Sequence, residues 1–152
     1  MMARVIETIA EHLDLEFRNL GSTTLRREDL ERGVEPDSCF YINNEATVRG
    51  KRRLDLMVDP PQDIVVDIDL THSSMYKKGV FAALGVPEVW RDTGERLTIL
   101  ALDRATYVEI PMSRQLPGVT ADAVTELVAA SMTSGRIEWL RHVREWAREL
   151  SA

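Results

Sequence analysis

The stretch Ile64-Val65-Val66-Asp67-Ile68-Asp69-Leu70 constrains the fold of this 152-residue chain more than any other. Its β-branched, apolar character predicts a strand, and a period of two puts Ile64, Val66, Ile68 and Leu70 on one face. Val65, Asp67 and Asp69 take the other face, with the two carboxylates about 6.6 Å apart at ~3.3 Å rise per residue. A strand whose second face meets water would carry such charges without consequence, as many antiparallel sheets do. On a covered face they must be paired, protonated or bound to a cation. Oxygen-only ligands of this kind suit Mg²⁺ or Mn²⁺, which are held by one or two carboxylates and keep several waters.

The rest of the chain supplies a setting for that strand. Residues 3–13 place Val5, Ile6, Ile9 and Leu13 at helical spacing. Residues 15–20 alternate and 23–25 resume after Gly21-Ser22, which predicts two short strands or one bent strand. Residues 26–33 read as a charged turn, 39–42 as a strand entered through Pro36, and 45–63 as mostly loop. After the central strand, Thr71, Ser73 and Ser74 offer an N-cap for a helix running to Leu84, with Gly85 as its stop. Strands are expected over 86–92, 97–102 and 106–110, the first two joined by a Thr93-Gly94 turn. Helices are expected over 121–131 and in a last segment carrying Trp139, Val143, Trp146 and Leu150. This order is α/β: a mixed central β-sheet flanked by helices, in a single domain over 1–152.

Composition narrows the function. With 44% hydrophobic and 29% charged residues the chain can hold an apolar core without a staple, and no apolar run is long enough to span a membrane. A single cysteine, Cys39, forbids an intrachain disulfide and points to a buried thiol in a reducing cytoplasm. The formal charge of −6 opposes broad adhesion to nucleic acid but leaves room for a local basic surface. No phosphate loop, GxGxxG, GxSxG or HExxH is present, so no organic cofactor is expected. His12, His72 and His142 are scattered and read as surface or capping residues.

At 100° per residue the helix after the central strand has Tyr76, Val80, Phe81, Ala83 and Leu84 on its apolar arc, with Lys77 inside that arc and Lys78 outside it. An inward ammonium just after two strand carboxylates is either a structural ion pair or part of a site. Together, Gly33-Val34-Glu35-Pro36-Asp37, the 64–71 segment, Lys77 and Gly85-Val86-Pro87-Glu88-Val89-Trp90 resemble the PD-(D/E)XK nuclease superfamily. The similarity is closest to the bacterial Uma-two group of restriction-endonuclease-like proteins, and runs from the first helix to the last. The resemblance implies a restriction-endonuclease-like core that hydrolyses DNA with Mg²⁺ or Mn²⁺. It implies Asp37 and Asp67 as metal ligands and catalytic acids, Glu35 as a ligand through water, and Asp69 as an outer ligand or orienting group. Asp69 stands where the superfamily's usual lysine would be, and in this branch the lysine moves to the helix, as Lys77. Family members carry a further segment before the first helix, and this chain is expected to lack it.

Arg49, Lys51, Arg52 and Arg53 form the preferred DNA-contacting loop, because it joins the segments that supply Asp37 and Asp67. Arg26 and Arg27, and the stripe Arg141, Arg144 and Arg148, are further basic features, each equally readable as a solvated face. Cleavage of both strands of a duplex by analogy calls for a homodimer. The alternative is a catalytically silent nuclease-fold protein that acts as a dimerising or regulatory module. A hydrolase of small phosphoesters is a third reading, without a recognisable pocket to support it.

Overall fold

The computed structural model describes residues 1–31, 33–70 and 75–150. In chain order they form α1 (Met2–His12), β1 (Arg18–Asn19), β2 (Ser38–Tyr41), α2 (Glu45–Val48), β3 (Ile64–Ile68) and α3 (Met75–Leu84), followed by β4 (Glu88–Asp92), β5 (Leu97–Asp103), β6 (Thr106–Ile110), α4 (Ala121–Ala130) and α5 (Arg136–Leu150). The strands make one mixed sheet in the order β1-β2-β3-β4-β5-β6. Only β3 and β4 run parallel, and α3 is the crossover that a parallel pair requires.

Helices cover both faces. On one, α1, α4 and α5 bury Val5, Ile6, Ile9, Val124, Leu127, Trp139 and Val143 against Phe40, Ile64, Val66, Trp90 and Ile99. On the other, Phe81 and Leu84 of α3 pack with Leu25, Val34, Cys39, Val65 and Val89. Gly85, at φ +79°, ends α3 in the left-handed conformation that favours glycine. The Cys39 thiol is fully buried and its pKa is pushed up to about 12 by desolvation.

The 45–63 stretch is mostly loop, as expected, and opens with the single-turn α2: the buried Asp63 carboxylate accepts from the Ile42 and Asn44 backbone N–H groups and holds the turn before that helix. Three expectations need correction. The 15–20 stretch keeps only the two-residue β1, an edge strand paired to β2 alone, while Leu15 and Phe17 serve as packing residues. The 23–25 stretch pairs through the single bridge Leu25↔Val34. Finally, Tyr76 and Ala83 of α3 are exposed, so the buried arc of that helix is narrower than its periodicity suggests. The proposed caps Thr71, Ser73 and Ser74, and His72, lie outside the described residues.

Candidate active site

The β3 alternation places the acidic face under cover. Val65, Asp67 and Asp69 are 0%, 4% and 3% exposed, whereas Ile68 and Leu70 on the apolar face are 43% and 65% exposed. The solvent-facing reading of the two carboxylates is therefore wrong. The reason is the unequal reach of the layers: α3 lies over the Val65 face, while the α1–α4–α5 layer leaves Ile68 and Leu70 lining an open cavity with Leu97, Val128 and Met132.

Strand register brings Asp37 to the same place. Residue 38 opposes Val66, the Asp37 N–H donates to the Val66 carbonyl at 3.0 Å, and the Asp37 carboxylate accepts from the Ile68 N–H at 2.7 Å through Oδ2. Asp37 thus caps the end of β2 against β3, beside Asp67, with its side chain open to solvent. From the overlying helix, Lys77 donates to Asp67 Oδ1 at 3.2 Å. Asp37 Oδ1 and Asp67 Oδ2 accept no hydrogen bond from any described residue and remain available as donors to a cation.

Electrostatics binds the three groups into one unit. Desolvation raises the Asp67 pKa, the Lys77 ammonium offsets part of that rise, and the Asp37 and Asp69 carboxylates add to it. Burial works against the Lys77 ammonium, but Asp67 and Asp37 outweigh it and leave its pKa raised. Asp69 is held differently. Its Oδ2 accepts from Arg91 at 2.5 Å, and its N–H donates to the Asp92 carbonyl. Arg91 stands in register with Asp67 on β4, sharing its face with Val89. Sequence reasoning passed over Arg91; the alternation Val89, Arg91 next to a strand bearing two aspartates was the available signal.

The other candidates fall elsewhere. Glu35 is exposed two residues before Asp37, and among the described residues no group of three His, Cys, Asp or Glu side chains is arranged to hold an ion. β2 and β3 are antiparallel, so the chain leaves β2 at the end away from Asp37, and the 49–53 loop emerges there rather than beside the aspartates. Within it Arg49 pairs with Glu45 at 2.5 Å and Lys51 with Asp59, whereas Arg52 and Arg53 are exposed and make no ion pair among the described residues. His12 bonds back to the Thr8 carbonyl, and His142 is exposed on α5.

Two carboxylates with unused oxygens, one on β3 and one just before β2, are the groups here that could hold Mg²⁺ or Mn²⁺, with water completing the coordination. They do not form an all-protein cage. The buried Glu88 has a structural part: its carboxylate accepts from Trp90 Nε1 at 2.7 Å, Ser113 Oγ at 2.5 Å and the Arg114 N–H at 3.0 Å, pinning the loop after β6. No helix among the described residues is long and apolar enough to cross a membrane.

The same segments decide the comparison with known proteins. No curated protein matches the chain. A family model described as "Putative restriction endonuclease" matches residues 2–133, which takes in every element from α1 to α4 and with them Asp37, Asp67, Asp69 and Lys77. The six-stranded mixed sheet flanked by helices is consistent with a restriction-endonuclease-like fold, and the chain belongs to the Uma-two family that this model describes.

Proposed function

We propose that the protein is a divalent-metal-dependent endonuclease that hydrolyses DNA phosphodiester bonds in the cytoplasm, working as a homodimer so that two centres address the two strands. One observation carries the proposal: Lys77 reaches the buried Asp67 at 3.2 Å while Asp37 is fixed by backbone pairing to the next residue of the same strand.

Asp37 and Asp67 would hold a Mg²⁺ or Mn²⁺ ion, which when bound would supply Lewis-acid polarisation of the scissile phosphate and a lowered pKa for water. The residues do the rest. Asp67, poorly solvated and flanked by Asp37, favours a cation over an empty site. Lys77 is fully charged at neutral pH; it keeps Asp67 in a single orientation and presents N–H donors to an incoming water or phosphate oxygen. The Asp69–Arg91 pair stiffens the end of β3 beneath them, a positioning role. Glu35 stands near enough in sequence to act through water.

Cleavage of supercoiled plasmid in Mn²⁺, together with calorimetric titration of Mn²⁺, tests this reading. Asp37→Ala and Asp67→Ala are expected to lose both binding and cleavage. Lys77→Met keeps Mn²⁺ binding and loses rate by roughly 10²- to 10³-fold, the usual cost of one positioned donor. Mn²⁺-dependent cutting that persists in Asp67→Ala, or wild-type protein that binds no Mn²⁺, refutes the assignment and leaves the silent module.

A further inference from the structure

We propose that a cleft between the 51–56 loop and the 23–26 segment is a nucleotide-binding subsite, which grips one nucleotide unit of the nucleic-acid strand away from the catalytic pair. The proposal rests on the nuclease reading and extends it from Arg52 and Arg53 of the basic loop to Arg18, Arg26 and Gln62, which have no assigned role. The cleft has a volume of ≈ 450 Å³ and is lined by Arg18, Arg26, Arg52 and Arg53, by apolar side chains including Leu20 and Leu54, and by Gln62.

Two independent features define its ligand. The first is charge: none of the four arginines makes an ion pair with a described residue, whereas their neighbours Arg49 and Lys51 are neutralised by Glu45 and Asp59. Arg18 is oriented by its bonds to the Val48 and Lys51 carbonyls, which do not cancel its charge. A phosphate is the matching anion, since guanidinium forks fit its oxygens. The second is Gln62, 1% exposed, whose Oε1 is buried without a hydrogen-bond partner among the described residues. An acceptor left bare at the wall of a basic cleft calls for a ligand N–H, which every nucleobase offers, and the leucines suit the face of a base. Phosphate, N–H donor and apolar face together describe a nucleotide.

Position links the subsite to catalysis. Gln62 precedes Asp67 by five residues, a separation of about 16 Å at ~3.3 Å per extended residue. Leu25 of the cleft packs in the same cluster as Val65, on the face that carries Asp67. At 3.4 Å per step along one strand, the subsite lies roughly five nucleotides from the scissile phosphate.

Fluorescence anisotropy of a labelled duplex in Ca²⁺, with salt varied, tests the proposal alongside calorimetry with AMP. An Arg52→Ala/Arg53→Ala protein is expected to bind the duplex about tenfold more weakly at low salt, with a log–log salt slope shallower by roughly 1.8, or 0.9 per lost phosphate contact. Gln62→Leu weakens binding without changing that slope, and Arg141→Ala/Arg144→Ala on α5 changes neither. Cleft variants that match a duplex-binding wild type overturn the subsite and leave the nuclease reading standing. A wild type that binds no duplex overturns both. Micromolar AMP binding that disappears in Arg52→Ala/Arg53→Ala assigns the cleft to free nucleotide and overturns the strand assignment.

Discussion

Asp67 is placed where its charge is costly. Burial raises its pKa despite the ammonium of Lys77, so the native state holds this proton more tightly than the unfolded chain, whose carboxyl titrates near 3.8. Between 3.8 and the raised native value the native state binds more protons, so stability falls as pH rises through that window and stays lower above it. Asp67→Asn, which removes the charge and keeps the shape, is therefore expected to melt above wild type at pH 7, with the difference closing below pH 3.8. Thermal melts across that range check it; a variant less stable at pH 7 contradicts the sign. A buried charge that destabilises the fold is the usual mark of a functional position, in keeping with the role proposed for Asp67. At this scale Asp67, Asp69 and Lys77 were legible because one strand period and one helix arc expose them. Arg91, Asp63 and Glu88 were not, since their meaning depends on distant partners: Asp69, Asn44 and Ser113 lie 22, 19 and 25 residues away.

The elements read most clearly where local pattern and burial agree. β3 alternates in sequence, β4 to β6 are β-rich runs parted by turn residues, and α4 begins with Thr120 accepting from the Ala123 N–H at 3.2 Å, so all of these were visible in the sequence. β1 and α2 were not, because a two-residue edge strand and a single helical turn are fixed by what they pack against rather than by their own periodicity. α3 is the element on which the proposed function turns, since it covers β3 with Phe81 and Leu84 and carries Lys77. It also holds a weak point. Gly79 lies mid-helix on an exposed position, and a Cβ there meets nothing within 4 Å. Gly79→Ala is expected to raise stability by about 0.5–1 kcal/mol through lost unfolded-state entropy and to leave Mn²⁺-dependent cleavage intact. Denaturant unfolding and a plasmid assay read the two effects separately; a loss of stability would mean that this helix is not built as described.

At the scale of the whole molecule, the proposed catalytic pair straddles the contact between β2 and β3 near the centre of the six-stranded sheet, so Asp37 and Asp67 cannot separate without breaking strand pairing. An ion bound there is tied to the native state as a whole. An ion that binds only the native form adds RT ln(1 + [L]/Kd), about 2.7 kcal/mol at a hundredfold excess over Kd. For a domain of this length one kcal/mol moves Tm by roughly 2–4 °C, so saturating Mn²⁺ is expected to raise it by about 5–11 °C. Asp37→Ala should abolish most of that rise even though Asp37 is solvent-exposed and its loss leaves the core untouched. Because proton and metal compete for Asp67, the rise should also shrink as pH falls, and sooner than for an ordinary surface carboxylate. A scan of Tm against Mn²⁺ at several pH values separates the two ways this fold can be used. A steep, pH-dependent rise lost in Asp37→Ala belongs to a metal centre, and a flat response belongs to a sheet whose acids serve only to pair with Lys77 and Arg91.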